Sequence, residues 1–356
     1  MDIRKSNSLS SNKNDNEKKE DAISEAFALV EKDMEAYNRL LMKALEPQQP
    51  YLTSTELEIY KAGKKIRPLI LILSARMVFK GDKEAALSEK IIHAAVSTEM
   101  LHVATLIHDD IIDHAPIRRG IPSINEERGT EMAILIGDLQ FVQAIRCFTD
   151  SIDTEKDMSL VKLVLNTAFR ICCGEIDELQ TNPEWNRQKL RDNYYQTIER
   201  KTAILFGLAC ECGVALGGGR TRDARRIGFF GRRLGRTFQM MDDLFDIARS
   251  VTGAGKLPGT DLARRRYSLP IIYAMEELGQ DHLVSKIMRG YDFTLAELTK
   301  ALLAVKKSDG FVKVYQEARN QVLDSLQYLE PFDDNEYKKA LEAISFYVVN
   351  RGYNNI

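Results

Sequence analysis

Three aspartates, Asp109, Asp110 and Asp113, stand within five residues of one another in a mostly apolar stretch. The apolar residues recur at helical spacing, which predicts a buried helix from Ile91 to about His114, ended by Pro116. Clustered carboxylates on such a helix repel one another and are costly to desolvate unless cations lie among them. Carboxylate oxygens are the ligands that Mg²⁺ prefers, together with substrate phosphates. The stretch therefore predicts a site for Mg²⁺ and a diphosphate.

A second carboxylate cluster repeats this spacing, with Asp242, Asp243 and Asp246 among Phe, Met, Leu and Ile residues. Two arginines, Arg118 and Arg119, follow the first cluster, and their forked donors suit phosphate oxygens. An acidic helix end followed by arginines is also common on solvated surfaces, but a surface does not explain two such clusters in apolar helices. If the helices face each other, the carboxylates can bind several Mg²⁺ ions from opposite walls of one cavity.

The order of these motifs resembles the trans-polyprenyl diphosphate synthases, the head-to-tail prenyltransferases, and most closely their long-chain branch. The shared motifs are Asp-Asp-x-x-Asp with Arg-Arg-Gly, then Phe-Gln-x-x-Asp-Asp-x-x-Asp, then Gly-Lys-Leu-Pro-Gly-Thr-Asp at 255–261. In that family a Mg-bound allylic diphosphate ionises, isopentenyl diphosphate attacks the carbocation, and loss of a proton gives a product one C5 unit longer. The resemblance implies this ionisation, condensation and elimination for the present chain.

The resemblance also implies roles for individual residues. It implies that the catalytic residues are Asp109, Asp110, Asp113, Asp242 and Lys201. It implies about three Mg²⁺ ions with bound diphosphate, held by Asp109, Asp113, Asp242, Asp243 and Asp246. It implies that isopentenyl diphosphate is bound by Lys64, Arg67, His102 and Arg119. It implies that the allylic diphosphate is bound by Arg118, Lys201, Thr202, Gln239, Lys256 and Arg266.

The chain departs from the family pattern near one of these residues. Many relatives have Gly-Lys before the Ser/Thr-Leu-Pro turn, whereas this chain has Arg265-Arg266, so Arg266 keeps the charge but not the lysine shape. The surrounding stretch, Ser250–Tyr267, is rich in glycine and charge and predicts a mobile lid. Its closure would exclude water and bring Lys256 onto the leaving group.

The residues that precede Asp109 on its helix predict the length of the product. Each helical turn rises ~5.4 Å, close to one extended isoprene unit, so the helix can gauge the growing chain. In the family an aromatic residue four or five positions before the first aspartate stops growth of the product at C15. In this chain Thr105 and Ala104 stand at those positions, and Leu101 is the next residue that could close the end of the product pocket, its floor. We expect a product longer than C15, either C20 or C30–C50, although small residues at these positions also simply permit close helix packing.

The sequence predicts an all-α fold, a single-domain helical bundle of the isoprenoid synthase type around a deep central cavity. No run alternates convincingly at period two, as a half-buried strand would. The chain has 356 residues, 44% of them hydrophobic, enough for a sizeable core. We assign residues 21–356 to the synthase domain and residues 1–20 to a disordered polar tail.

Composition bears on partners and location. A net charge of −2 with dispersed basic residues gives no reason to expect nucleic acid. Five cysteines without a zinc or disulfide pattern favour a reducing compartment, and we expect the cytoplasm. No apolar run approaches the ~20 residues of a membrane span, so we expect at most peripheral membrane contact for product release. A homodimer is expected.

Two other functions compete with the synthase. A class I terpene cyclase shares the ionising aspartates but has no second diphosphate to bind, which leaves Lys64, Arg67, His102 and Arg119 without a purpose. A non-catalytic subunit of a heteromeric synthase would be expected to have degraded aspartate clusters, whereas both clusters are whole here.

Overall fold

The computed structural model describes residues 22–83, 85–118, 120–152, 157–248 and 259–351. Residues 22–29 are helical, and the first half then continues as α1 Glu31–Leu45, a 3₁₀ turn Glu46–Gln48, α2 Ser54–Lys61, α3 Ile66–Val78, α4 Glu89–Ile112, α5 Ile124–Arg128, α6 Thr130–Thr149 and α7 Met158–Leu179. The second half comprises α8 Arg187–Ile198, a π-helical turn Glu199–Ala203, α9 Ile204–Leu216, α10 Thr221–Ala248, α11 Thr260–Ala263, α12 Leu269–Leu278, α13 Leu283–Met288, α14 Leu295–Lys307, α15 Asp309–Leu326 and α16 Glu336–Asn350. The predicted all-α class is confirmed, and the predicted tail, residues 1–20, lies outside the described residues.

A small antiparallel hairpin interrupts the helices, which the sequence did not predict. Strands β1 Ile117–Arg118 and β2 Ile121–Pro122 pair Ile117 with Pro122 and Arg118 with Ile121. Gly120 lies in the turn at a φ of 85°, a left-handed value that glycine adopts without steric cost. The hairpin directs the chain after α4 back along the bundle and fixes the position of Arg118.

Helix α4 is central to the bundle and packs against α3, α6 and α9. It covers Glu89–Ile112, within two residues of the predicted helix. Its end is a turn in which the Ala115 backbone N–H donates to the Asp110 carbonyl oxygen at 2.9 Å. His114 provides the left-handed residue of this turn at a φ of 48°. The helix therefore ends before His114, where the chain turns. The sequence analysis had assigned its end to Pro116.

Two other predicted helices also form. The apolar run Leu69–Ala75 lies within α3, and its residues are fully buried. The predicted helix from Ile23 to Leu45 is interrupted once, at Val30, where φ is −125° and ψ is 28°. Residues on both sides of this break, including Ala26 and Met34, are buried in the same core.

The outer faces of α6 and α7 expose apolar side chains at spacings of three and four residues. On α7 these are Leu165, Phe169, Ile176 and Leu179, and on α6 they include Met132, Leu135 and Val142. Within the described part of the chain, α6 is long and apolar enough to cross a membrane, contrary to the expectation from sequence. Its other face, however, is buried against α4 as part of the bundle.

A buried ion pair connects α1 to α3. Arg76 donates from Nε and Nη2 to the two carboxylate oxygens of Asp33, both at 2.7 Å. The two side chains are only 6% and 5% exposed. Arg76 also donates to the Ala85 carbonyl oxygen at 2.9 Å, which fixes the loop before α4.

The Asp33→Ala variant should lower the free energy of unfolding by about 3–5 kcal/mol, because it leaves the Arg76 charge buried without its partner. Urea denaturation of the purified variant measures this difference. Asp334→Ala is the control, since Asp334 pairs with Lys339 at 3.3 Å in an exposed position, and its loss should change stability by less than about 1 kcal/mol. Equal effects of the two substitutions would contradict the assignment.

Candidate active site

A cavity of about 600 Å³ receives side chains from both aspartate-bearing helices. Asp109 and Asp113 enter from α4, and Gln239 and Asp243 enter from α10. The rest of the wall is mostly polar and includes Arg118, Glu178, Tyr194, Lys201, Thr202, Asp261, Arg264 and Arg266. The two clusters thus contribute to one cavity, with carboxylates and cations interleaved around it.

Lys201 is the central cation of this cavity, and it projects from the π-helical turn Glu199–Ala203. Its Nζ atom lies 2.6 Å from Glu175 Oε1, 2.9 Å from Glu178 Oε2 and 3.6 Å from Asp109 Oδ1. A π turn inserts an extra residue into a helix and is frequent at functional sites. Here the turn places Lys201 between α4 and α7.

Gly174 allows α7 to approach this π turn closely. A Cβ atom at Gly174 would lie 2.7 Å from the Lys201 backbone nitrogen and 3.0 Å from Cβ of Arg200. Both distances are shorter than ordinary van der Waals contact, and the nearer atom belongs to the backbone. The absence of a side chain at Gly174 therefore sets how near Lys201 lies to the glutamates of α7.

The aspartates of the first cluster have three different environments. Asp113 forms ion pairs with Arg264, at 3.0 Å, and with Arg266. Buried Asp110 accepts a hydrogen bond from Arg118 Nε at 2.8 Å. Asp109 Oδ1 is buried and accepts no hydrogen bond from any residue that the structure describes, and its nearest cation is Lys201.

The second cluster is organised around the buried Asp243. The Tyr194 hydroxyl donates to Asp243 Oδ2 at 2.7 Å, and Gln239 Nε2 donates to Oδ1 at 2.9 Å. Thr202 in turn donates its hydroxyl hydrogen to Gln239 Oε1 at 2.9 Å. Thr202 and Gln239 are therefore connected, and Tyr194 is a site residue that sequence reasoning missed because nothing in its local pattern indicates a contact with Asp243.

The other two aspartates of α10 contact the chain that follows. Asp246 accepts hydrogen bonds from the backbone N–H groups of Thr260 and Asp261, at 3.0 and 2.9 Å. Asp242 pairs with Arg351, whose guanidinium lies 4.0 Å from the Phe238 ring centroid. Sequence reasoning also missed Arg351, which is 109 positions from Asp242 in the chain.

Crowding of carboxylates in a buried site raises the pKa of several of them. Burial, opposed by hydrogen bonds from Tyr194 and Gln239, raises the pKa of Asp243 to about 7. Burial and the Asp109 carboxylate raise the pKa of Glu175 to about 8. Burial and the neighbouring aspartates also raise the pKa of Asp261. Ionisation of these buried carboxyls is therefore costly unless a cation lies beside them.

Lys201 and Arg266 respond to burial differently. Burial lowers the pKa of Lys201, but Asp109, Glu178 and Glu175 together outweigh it and raise the pKa above its usual value, so the amine stays protonated. Burial lowers the pKa of Arg266, and Asp109 opposes that effect. Lys201 is thus a fixed positive charge at the centre of the site.

The donor set fits a hard divalent cation, although the carboxylates have other partners in this structure. Among the described residues, no three acidic, cysteine or histidine side chains converge closely enough to hold one ion. Asp113, Asp110 and Asp242 form ion pairs with arginines instead. The ligands available are nevertheless carboxylate oxygens, which hard cations prefer, and the buried Asp109 Oδ1 lacks a donor among the described residues.

The predicted isopentenyl-diphosphate residues do not line the cavity. Lys64 is exposed and donates to the Tyr347 hydroxyl of α16 at 3.2 Å. The Arg67 guanidinium lies 4.6 Å from the Phe206 ring centroid, and that ring lies 5.4 Å from Phe238. Since Phe238 also stacks with Arg351, aromatic contacts connect Arg67 to the second aspartate cluster.

Lys65, beside these residues, has a structural role. It begins α3 at a φ of 48°, and its side chain turns inward to pair with the buried Glu99 at 2.9 Å. The lysine side chain is 11% exposed and that of Glu99 3%. This pair anchors the turn that presents Lys64 and Arg67 on either side of it.

The remaining predicted site residues lie along α4 or outside the described chain. Leu101 and Ala104 are fully buried. The half-buried Thr105 donates its hydroxyl hydrogen to the His102 carbonyl oxygen at 2.7 Å. Arg119 and Lys256 lie outside the described residues.

Comparisons with known proteins agree with this geometry. Residues 49–305 match the sequence model of the family described as polyprenyl synthetase. The chain is 28% identical to heptaprenyl diphosphate synthase component 2 of Geobacillus stearothermophilus, over 92% of this chain and 98% of that protein. It is 29% identical to nonaprenyl diphosphate synthase of Mycobacterium tuberculosis, over 91% and 94%. Its fold matches the crystal structure of a decaprenyl diphosphate synthase from Rhodobacter capsulatus with a TM-score of 0.80 and 27% identity, over 92% of this chain and 99% of that one.

The resemblance predicted from the motifs is confirmed. The match covers most of the bundle, including the helices that carry the two aspartate clusters. The chain belongs to the polyprenyl synthetase family, and it is a trans-prenyltransferase that resembles the long-chain branch.

Proposed function

We propose that this chain is a polyprenyl diphosphate synthase that condenses isopentenyl diphosphate with an allylic diphosphate and makes a product longer than C15. The observation that carries the proposal is the shared cavity, which brings Asp109 and Asp113 of one helix to Asp243 of another with Lys201 between the walls. Such a site concentrates opposite charges where a diphosphate and its counterions can bind.

We infer that the cofactor is Mg²⁺, with ligands drawn from Asp109, Asp113, Asp242, Asp243 and Asp246. When bound, the ions would supply positive charge that stabilises the departing diphosphate. The raised pKa values of Asp243 and Asp261 support this inference, because buried carboxyls that resist ionisation gain most from added cations. Mg²⁺ would have to compete with Arg264 and Arg266 at Asp113, and with Arg351 at Asp242.

The chain's own cations would stabilise the leaving group. Lys201 is held protonated by three carboxylates, and Arg118 and Arg266 lie on the same cavity wall. Their attraction is greatest when the negative charge on the leaving diphosphate is fully developed. They would therefore lower the barrier to ionisation more than they tighten binding of the ground state.

The reaction would proceed by cleavage of the allylic C–O bond, with the electron pair leaving on the diphosphate. The double bond of isopentenyl diphosphate then attacks the carbocation and forms the new C–C bond. A proton leaves the adjacent carbon, and the released diphosphate is the proposed base. Lys64, Arg67 and His102 would hold the isopentenyl diphosphate, and the aromatic contacts from Arg67 toward α10 support a second substrate beside the first.

A class I cyclase is less consistent with this arrangement. A cyclase binds a single diphosphate, so it needs no second cationic site. Here Lys64 is exposed beside Tyr347, and Glu99 and Lys65 anchor the turn that presents it. An anchored lysine of this kind supports a synthase with two diphosphate substrates.

We propose a product in the C30–C50 range, with C20 as the shorter alternative. The relatives that support this are named for heptaprenyl, nonaprenyl and decaprenyl products. Thr105 and Ala104 leave no bulky side chain at the positions four and five before Asp109, and the fully buried Leu101 is the next candidate to limit chain growth.

We propose that the chain forms a homodimer through α6 and α7. The exposed apolar residues of α7, Leu165, Phe169, Ile176 and Leu179, form a stripe with the spacing of a helix–helix seam. A stripe on two neighbouring helices can meet its own copy across a two-fold axis. One relative is named as component 2 of a heptaprenyl diphosphate synthase, so a different partner chain is the alternative occupant.

We also propose a cytoplasmic location. All five cysteines are free, and Cys147, Cys210 and Cys212 are buried, which is consistent with a reducing compartment.

Incubation of the purified protein with Mg²⁺, isopentenyl diphosphate and C5, C10, C15 or C20 allylic primers tests the reaction. A chain-extended diphosphate supports the synthase, and a cyclic hydrocarbon would identify a cyclase. No product with any primer would favour a subunit that depends on a partner. Asp109→Ala should reduce turnover on the order of 10²–10³-fold, whereas the exposed Asp334→Ala should not; a near-normal rate for Asp109→Ala would reject the metal assignment.

Leu101→Ala should shift the product distribution toward longer chains, because it removes the side chain that we propose as the limit to growth of the product. Chromatography of the dephosphorylated products measures the shift. Leu45→Ala is the matched control, since Leu45 is also fully buried and its loss should cost a similar 2–5 kcal/mol of stability, roughly, without changing the product. An unchanged distribution for Leu101→Ala would remove it as the floor.

Phe169→Glu should convert the dimer to a monomer, because it places a charge in the centre of the proposed apolar contact. Light scattering after size exclusion gives the mass of each variant. Leu323→Glu changes an exposed leucine of α15 and should leave the dimer intact. A monomeric wild-type protein, or a dimer that survives Phe169→Glu, would refute the proposed interface.

A further inference from the structure

Three consecutive arginines, Arg264, Arg265 and Arg266, follow helix α11 and point to two different sides. The helix ends in a turn in which the Arg266 backbone N–H donates to the Asp261 carbonyl oxygen at 2.8 Å and the Arg265 N–H to that of Leu262 at 3.2 Å. Arg265 is the left-handed residue of this turn, at a φ of 57°. Glycine is the usual residue at that position because it has no Cβ.

The side chain of Arg265 anchors the turn to the neighbouring helix. Its Nε donates to the Ile287 carbonyl oxygen at 3.0 Å, and its Nη2 donates to that of Tyr291 at 3.2 Å. Ile287 lies in the last turn of α13, where its carbonyl oxygen also accepts from the Gly290 backbone N–H, and Tyr291 lies three residues beyond the helix. Nη2 also lies 3.4 Å from Asp292 Oδ1. A glycine at this position would have no side chain to fix the turn. The hydrogen bonds of the Arg265 side chain fix it to α13 and the residues that follow that helix.

The two flanking arginines converge on a single carboxylate. Arg264 Nη1 lies 3.0 Å from Asp113 Oδ2, and Arg266 pairs with Asp113 Oδ1. Asp113 supplies a single negative charge to these two guanidiniums, and the Asp109 carboxylate also acts on Arg266. Arg264 and Arg266 both line the cavity, and their side chains remain 32% and 26% exposed. The two guanidiniums thus face the place where the allylic diphosphate would bind.

We propose that Arg264 is a second arginine for the allylic diphosphate, and that Arg265 positions Arg264 and Arg266 together. This inference rests on the proposed function, which assigns the allylic site to this end of the cavity. Two forked guanidiniums side by side can each bind two phosphate oxygens in bidentate geometry, whereas a lysine presents only a point charge. If Mg²⁺ were bound by Asp113, both arginines would be available to the diphosphate.

The Arg264→Ala variant tests the binding role. Its Michaelis constant for the allylic substrate should rise about tenfold, the value of one charge-assisted hydrogen bond, while that for isopentenyl diphosphate stays within about twofold. Binding of inorganic diphosphate in the presence of Mg²⁺, measured by calorimetry, should weaken by a similar factor. Arg319→Ala is the control, because Arg319 is exposed on α15 and does not line the cavity. Unchanged allylic and diphosphate affinities would overturn the proposal.

Two variants of Arg265 test the positioning role. Arg265→Gly preserves the left-handed backbone and removes the side-chain bonds, so it should raise the allylic Michaelis constant up to about tenfold. Arg265→Lys should restore part of the affinity, because it can still donate to one carbonyl. If Arg265→Gly binds the allylic substrate as tightly as the wild type, Arg265 has no positioning role.

The calorimetric experiment separates this proposal from the proposed function. It needs no turnover, so it reports on Arg264 even if the wild-type protein makes no chain-extended product. Absence of product with an intact Arg264 effect on diphosphate binding would refute the synthase and support the arginine site. Normal synthesis with no effect of Arg264→Ala would support the synthase and overturn the arginine site.

Discussion

Negative charge held between apolar helices is the constraint on which the site depends. Asp109 and Asp243 are positioned by α4 and α10, whose other residues form the core, so neither carboxylate can move to water without disturbing the bundle. The cost of this arrangement appears in the raised pKa values of Asp243 and Glu175. Positive charge must therefore be supplied locally, either by basic side chains or by bound cations.

The cations of the site come from irregular segments. The carboxylates of the two clusters lie on regular helices, except that Asp113 directly follows the end of α4. Lys201 projects from a π turn, Arg118 from a two-stranded hairpin, and Arg264 from the turn that ends α11. Arg351 stands just beyond the end of α16. Segments of this kind can shift with less loss of packing than a core helix can. The site thus combines carboxylates positioned by core helices with cations that come from turns and helix ends.

The sequence was sufficient for the fold and for much of the cavity wall, because both depend on local patterns. The spacing of Asp109 and Asp113 on an apolar helix indicated α4, and the same pattern indicated α10. Contacts between distant segments left no comparable signal. Arg351 directly follows a C-terminal helix with no motif, and Tyr194 is one tyrosine among 13 in the chain. Their roles follow from how α16 and α8 pack, which depends on the whole core.

Local patterns also misjudged some details. The sequence explained the end of α4 by a proline, whereas the left-handed His114 reverses the chain first. The hairpin that holds Arg118 has strands of only two residues, too short for alternation to be recognised. Lys65 directly follows Lys64, which the family resemblance assigned to isopentenyl diphosphate, yet its side chain is turned away from solvent toward the buried Glu99. In each case tertiary contacts decided between conformations that the local residues permit.

Gly174 has a consequence for how this protein can vary. Its neighbour Cys173 is only partly buried, so many residue types could occupy that position at little cost. At Gly174 even a methyl group would meet the backbone of the π turn. Two adjacent positions of α7 therefore differ sharply in mutational tolerance. Substitutions can accumulate at position 173, whereas position 174 must remain glycine for the π turn to hold Lys201 where it is.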